Sequence, residues 1–320
     1  MPHATLSLPT RIAAGGAGLA LLAAVLAGCG SSSDADAAAA AADKRLPVVA
    51  TTSQTADFTR VLGGDRVRVA QLLKPNVDPH DYEPTPADLE AVGDARVLVE
   101  NGVGLESWLD DAVGAAGFDG VRVDASRGVT IRSGNGDEEE KSGDPHIWHN
   151  PLNAKIMVAD IERGLAQADP ANAGYFHANR IAYDTRLDAL DGDIRRQIAT
   201  IAPADRKLVT NHDAFGYYID HYGLTFVGSI IPSFDTAAEL SGRNIRNIVD
   251  RIRRTGTKAV FSESSLPPRT ARTIADEAGV RVEAGEDSLY GDTLGPAGSD
   301  GATYLQMEEH NTHTIVAALR

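Results

Sequence analysis

The stretch 172–201, "NAGYFHANRIAYDTRLDALDGDIRRQIATI", runs thirty residues with no proline and sets Tyr175, Ile181, Leu187, Leu190, Ile194 and Ile198 mostly at helical spacing. At about 1.5 Å per residue such a helix spans roughly 40 Å, the width of a domain. A helix that long joins two folded halves more stiffly than a flexible hinge would. On its N-terminal side, "PVVATT" (47–52), "VRVAQLL" (67–73), "ARVLVENG" (95–102) and "VRVDA" (121–125) read as strands, alternating with amphipathic segments at 53–63, 86–93 and 105–116. On its C-terminal side the series repeats as "KLVTN" (207–211), "LTFVGSI" (224–230), "KAVFSE" (258–263) and "VRVEA" (280–284). Strands alternating with helices make parallel βαβ units. The expected fold is therefore α/β, two lobes of βα units with mainly parallel sheets, joined by one long rigid helix.

A chain of 320 residues is long enough for two domains, and 42 % hydrophobic with 23 % charged residues is a globular composition. The N-terminus departs from it. After Arg11 come seventeen uncharged residues, "IAAGGAGLALLAAVLAG", fewer than the roughly 20 that a spanning helix needs, ending in "LAGC". That ending resembles the lipobox of bacterial lipoproteins, in which cleavage precedes the cysteine and the new terminus carries lipid. Cys29 is the only cysteine, so lipidation also accounts for a thiol that has no disulfide partner in the chain. "GSSSDADAAAAAADKR" then buries too little apolar surface to order itself. The expected organisation is a signal peptide at 1–28, a tether at 29–45, an N-terminal lobe at 46–170, a linking helix at 171–202 and a C-terminal lobe at 203–320.

The formal charge of −15 disfavours nucleic acid and anionic membrane surfaces as partners. It suits cations, or solubility alone. The loops narrow the choice, because "DPHDYEP" (78–84) and "DPHIWHNP" (144–151) each place a histidine behind a proline that stiffens the backbone. Of the nine histidines, His3 leaves with the signal peptide, and His177 lies on the long helix. His310 and His313 sit on a solvated face of a C-terminal helical pattern, and His221 reads as packed or half-exposed. His149 is a weaker ligand candidate beside Trp148.

Three histidines remain. His80 and His212 follow strands, where open α/β sheets bind ligands, and His146 stands in the second Asp-Pro-His loop. Asp292, between glycines in "SLYGDTLG", is a fourth candidate. The four lie on separate loops, two per lobe, and can meet only in the cleft between the lobes. Three imidazoles and one carboxylate make a tetrahedral, zinc-type set, although by spacing alone four unrelated loop residues are an equal reading.

"DPHDYEPTPADLEAV", "ENGVGLESWLDD", "DPHIWHNPLNA", "TNHDAFGYYIDHYGL", "FSESSLPPRTARTIADEAGV" and "YGDTLG" together resemble the zinc- and manganese-binding solute-binding proteins of bacterial ABC transporters, from about 47 to 318. The resemblance implies a metal held in the inter-lobe cleft by His80, His146, His212 and Asp292, the third position being His or Glu in that family. It also implies an ABC permease as partner, Zn²⁺ or Mn²⁺ as transported ligand rather than cofactor, no enzymatic activity, and a lipid-anchored monomer on the outer face of the cytoplasmic membrane. Many zinc importers of this type carry a His-rich loop before the second ligand. The corresponding "RSGNGDEEEKSG" (132–143) has acids and glycines but no histidine.

Asp78, Asp81, Asp144 and Asp213 stand beside the histidines, where they could orient ligand rings or simply form turns. Two other classes compete with transport. A zinc hydrolase would use the three histidines and an open fourth position, but no His-Glu-x-x-His signature or placed general base is present. A metal-containing surface adhesin would suit the tether, but no segment marks a partner surface.

Overall fold

A computed structural model describes residues 44–133, 142–238 and 240–320. The signal peptide, Cys29, most of the tether and most of the acidic loop lie outside the described residues. Four parallel strands, β1 (Leu46–Ala50), β2 (Val67–Gln71), β3 (Val97–Glu100) and β4 (Val121–Asp124), form one sheet in the order β2-β1-β3-β4. Central β1 is nearly all apolar and buried along its length, whereas the edge strand β2 carries Arg68 and Gln71 and is only partly covered. This is the contrast expected between a strand covered on both faces and one at an edge.

The helices between these strands begin where the sequence provides caps. Thr52 and Thr55 form a reciprocal box at the start of α1 (Ser53–Gly63), and Thr85 and Asp88 form another at α2 (Pro86–Gly93), with Pro86 in the first turn. The next helix is shorter than its hydrophobic pattern, since α3 (Leu109–Ala116) starts four residues into the expected 105–116 segment. The Glu106 side chain is the reason. Its carboxylate accepts hydrogen bonds from the Thr51 hydroxyl and from the backbone N–H groups of Asn101 and Gly102, so 101–106 closes into a turn.

Helix α4 (Pro151–Ala168) packs against both β4 and the long helix α5 (Ala173–Ile198). The second half has β5 (Lys207–Thr210) paired with β6 (Thr225–Ser229), and β7 (Ala259–Phe261) paired with β8 (Arg281–Glu283), again parallel. Its helices are α6 (Gly216–Tyr222), α7 (Gly242–Thr255), α8 (Arg269–Ala278) and α9 (Tyr304–Leu319). All eight expected strands are present, and the fold is α/β with parallel sheets and one long helix.

The long helix is more than a spacer. It packs against α1, α4 and α9, and its buried Phe176, Tyr183, Leu187, Leu190, Ile194 and Ile198 belong to an apolar cluster that runs from Leu46 to Leu319. Phe58 of α1 meets Tyr304 of α9 edge-on with ring centroids 4.8 Å apart, and meets Tyr183 of α5 at 6.1 Å. Smaller clusters under α7 and α8 and under α2 and α3 complete the two halves. Among the described residues no helix is long and apolar enough to cross a membrane.

Candidate metal centre

Each candidate side chain stands on a loop beyond the carboxyl end of a strand. His80 follows β2, His146 lies between β4 and α4, His212 is two residues past β5, and Asp292 follows β8. The structure brings all four together, and among the described residues they are the one group of His, Cys, Asp or Glu able to share an ion. One donor atom from each falls within 4.8 Å of the others.

Asp292 Oδ1 lies 3.1 Å from His212 Nε2, 3.4 Å from His146 Nε2 and 3.9 Å from His80 Nε2, while the Nε2 atoms of His146 and His212 are 3.2 Å apart. Donors about 2.0–2.2 Å from a common ion at tetrahedral angles would stand roughly 3.4 Å apart, so the spacing suits a first-row divalent metal. His146, His212 and Asp292 are wholly buried, and the His80 side chain is 7 % exposed. His80 Nε2 and Asp292 Oδ1 have no hydrogen-bond partner, as expected of atoms aimed at an ion. The other Asp292 oxygen accepts from the Ser265 hydroxyl at 3.2 Å, which leaves Oδ1 as the free donor.

The electrostatics centre on Asp292. Burial alone would raise its pKa, but His212 and His146 hold it well below the usual carboxylate range. Burial depresses His80 to about 4. Burial also opposes charge on His212 and His146, yet Asp292 and Glu263 raise the first well above its ordinary value, and Asp144 and Asp292 raise the second.

The rings are held from behind. His146 Nδ1 is 2.8 Å from Asp144 Oδ1, which also accepts the His146 backbone N–H, and Arg132 anchors the second Asp144 oxygen at 2.5 Å. Asp144 thus orients a ring. Its three companions show no such contact. Asp78 accepts the His80 backbone N–H and the Thr236 hydroxyl, which is turn chemistry, and Asp213 is a buried acid raised to about 6 by burial and by Asp144. Asp81 is exposed.

The carboxylate behind His212 is Glu263, which sequence reasoning missed. Its Oε2 lies 2.8 Å from His212 Nδ1 and its Oε1 accepts the His212 backbone N–H at 3.0 Å. Glu263 stands two residues past β7, the same offset as His212 past β5, a position that does not by itself set it apart in the sequence.

The other histidines stand apart from the four donors. His149 contacts Glu308 and the Gly291 carbonyl, His221 pairs with Asp191 at 2.7 Å, His177 sits 3.6 Å from Glu162, His310 meets the Ser288 carbonyl, and His313 is exposed.

Comparison with known proteins points the same way. The family model described as zinc-uptake complex component A periplasmic matches residues 48–318. The chain is 34 % identical over 298 residues to the manganese-binding lipoprotein MntA of Bacillus subtilis, covering 92 % of this chain and 95 % of that protein. It is 32 % identical over 281 residues to the zinc-binding protein TroA of Treponema pallidum, covering 87 % and 90 %. The solved structure of that periplasmic zinc-binding protein superposes with a TM-score of 0.78 at 29 % identity, over 86 % of this chain and 99 % of the other.

Proposed function

Since the chain belongs to the zinc-uptake complex component A periplasmic family, the substrate-binding proteins of metal ABC transporters, we propose that it captures Zn²⁺ through His80, His146, His212 and Asp292 and hands it to a permease. It is a binding protein and not an enzyme. The observation that carries the reading is the convergence of three imidazole Nε2 atoms and one carboxylate oxygen within 4.8 Å in a buried site. Relatives named for manganese and for zinc both match, so the ion is argued from the donors. Three nitrogens and a single oxygen suit zinc, whereas manganese favours oxygen-rich sites. Domain limits are proposed as 46–170, 171–202 and 203–320.

The test is equilibrium competition on protein stripped of metal. One Zn²⁺ per chain is expected, bound more tightly than Mn²⁺ in the same buffer and pH. Tighter Mn²⁺ binding would reverse the choice of ion, and no saturable binding of either would remove the function.

Anchoring is proposed to rest on Cys29. Two kinds of observation support it: the "LAGC" sequence and the lipoprotein names of relatives. Cys29→Ser should move the protein from the membrane fraction to the soluble one with its leader uncut at this site. A variant that stays membrane-bound and correctly trimmed sinks the anchor.

A further inference from the structure

His149 is wholly buried, yet it is not one of the four converging donors. Its ring stacks on Phe215 with centroids 4.4 Å apart and 26° between planes. Nε2 lies 2.9 Å from the carbonyl oxygen of Gly291, and Nδ1 lies 2.9 Å from Oε1 of Glu308 on α9. A carbonyl can only accept, so Nε2 must carry the hydrogen. Glu308, also fully buried, then faces Nδ1 in one of two ways: as a carboxylate against a doubly protonated ring, or as an acid donating to a neutral one. In both cases one proton lies between the two side chains and the ring points the same way. The other Glu308 oxygen has no hydrogen-bond partner, so His149 is what compensates this carboxyl group.

What the ring holds is the peptide that leads into Asp292. The Gly291 oxygen also accepts from Trp148 Nε1 at 3.1 Å, so both of its acceptor positions are filled by successive side chains of the loop that bears His146. The next carbonyl, that of Asp292, accepts from Gln54 at 2.9 Å. Gly291 has no lateral room, since a Cβ there would fall 2.2 Å from Glu263 Oε2. The Asp292 carboxylate is therefore aimed by a backbone whose orientation other residues set.

We propose that His149, backed by Glu308, is a positioning residue that sets the Asp292 carboxylate for the ion by pinning the Gly291 carbonyl. It does not touch the ion. The inference rests on the metal-binding reading of the site.

His149→Ala alone would strand a buried carboxyl group and could fail to fold, so the decisive variant changes both partners to apolar groups of similar shape, His149→Phe with Glu308→Met. This pair keeps a ring against Phe215 and removes the clamp. Zn²⁺ affinity, measured by competition with a chromophoric chelator, is expected to fall about tenfold, the lower end of what losing a partner behind a ligand costs. In an Asp292→Ala background the same pair should cost nothing further, because the group it positions is gone. Glu308→Gln, which can still donate to Nδ1 of a neutral ring, should stay within about threefold of the parent.

Nitrogen NMR on the unaltered protein gives a second readout. His149 Nε2 should be protonated with and without Zn²⁺, while the Nε2 atoms of His80, His146 and His212 lose any proton on binding. Parent-like affinity in the paired variant overturns the inference, as does an equal loss with and without Asp292, or an unprotonated His149 Nε2. In each of those cases the parent still binds Zn²⁺. A parent that binds no ion overturns this inference together with the function it rests on.

Discussion

His212→Ala is expected to cost more than about 100-fold in Zn²⁺ affinity. Losing a group that merely supports a ligand costs roughly 10–100-fold, and here one of four donors goes. The same change takes from Asp292 the imidazole that lies 3.1 Å from its Oδ1 and leads the forces holding it ionised.

His212→Glu tests the choice of ion, since exchanging nitrogen for oxygen moves the site toward the donors manganese prefers. The surroundings complicate it. Glu263, 2.8 Å from the present ring, and Asp292 would make three carboxylates around one point. The relative preference for Mn²⁺ is therefore expected to rise about tenfold or more only when His212→Glu is combined with Glu263→Gln. Titrations with both ions at a single pH check this, because proton release enters every apparent constant. If His212→Ala and His212→Glu both bind Zn²⁺ like the parent, His212 is not a ligand.

Saturation with Zn²⁺ is expected to stabilise the folded chain by about 4 kcal/mol at a thousandfold excess over the dissociation constant. For a chain of this size that is on the order of 10 °C in Tm. That figure is set by the ratio of free ion to dissociation constant, and the dissociation constant in turn reflects what the ion relieves. Without it, three imidazoles and a carboxylate are held together in a buried site, with His80 Nε2 and Asp292 Oδ1 lacking hydrogen-bond partners. Melting curves at rising Zn²⁺ and after chelator treatment measure it. A Tm indifferent to both would remove the site.

The strands and the long helix were legible because their signals are local: β-branched runs for the strands, and for α5 a long stretch without proline. Helices α1 and α2 begin where expected because Thr52, Thr85 and Pro86 announce them. Helix α3 does not, since the hydrophobic pattern does not reveal that Glu106 turns back to the Thr51 hydroxyl, 55 residues away. At the site, histidines are rare enough for loop position to single out three of nine. Glu263 is one of 45 acidic residues, and its position after β7 did not separate it from the rest. The Glu308 partner of His149 lies 159 residues away and carries no local mark at all.

The distances along the chain also bear on folding kinetics. His146 meets His212 across 66 residues, and Gln54 reaches the Asp292 carbonyl across 238. Closing loops of that length comes before any reward from the contacts they enclose, and chains dominated by such contacts fold slowly. The four donors span residues 80 to 292, so no short fragment of the chain holds them all, and the site is expected to be completed late. Interactions absent from the transition state slow unfolding and leave the folding rate alone. A bound ion is thus expected to lengthen the lifetime of the native chain and to leave the rate at which it forms unchanged, as unfolding and refolding rates with and without Zn²⁺ would show.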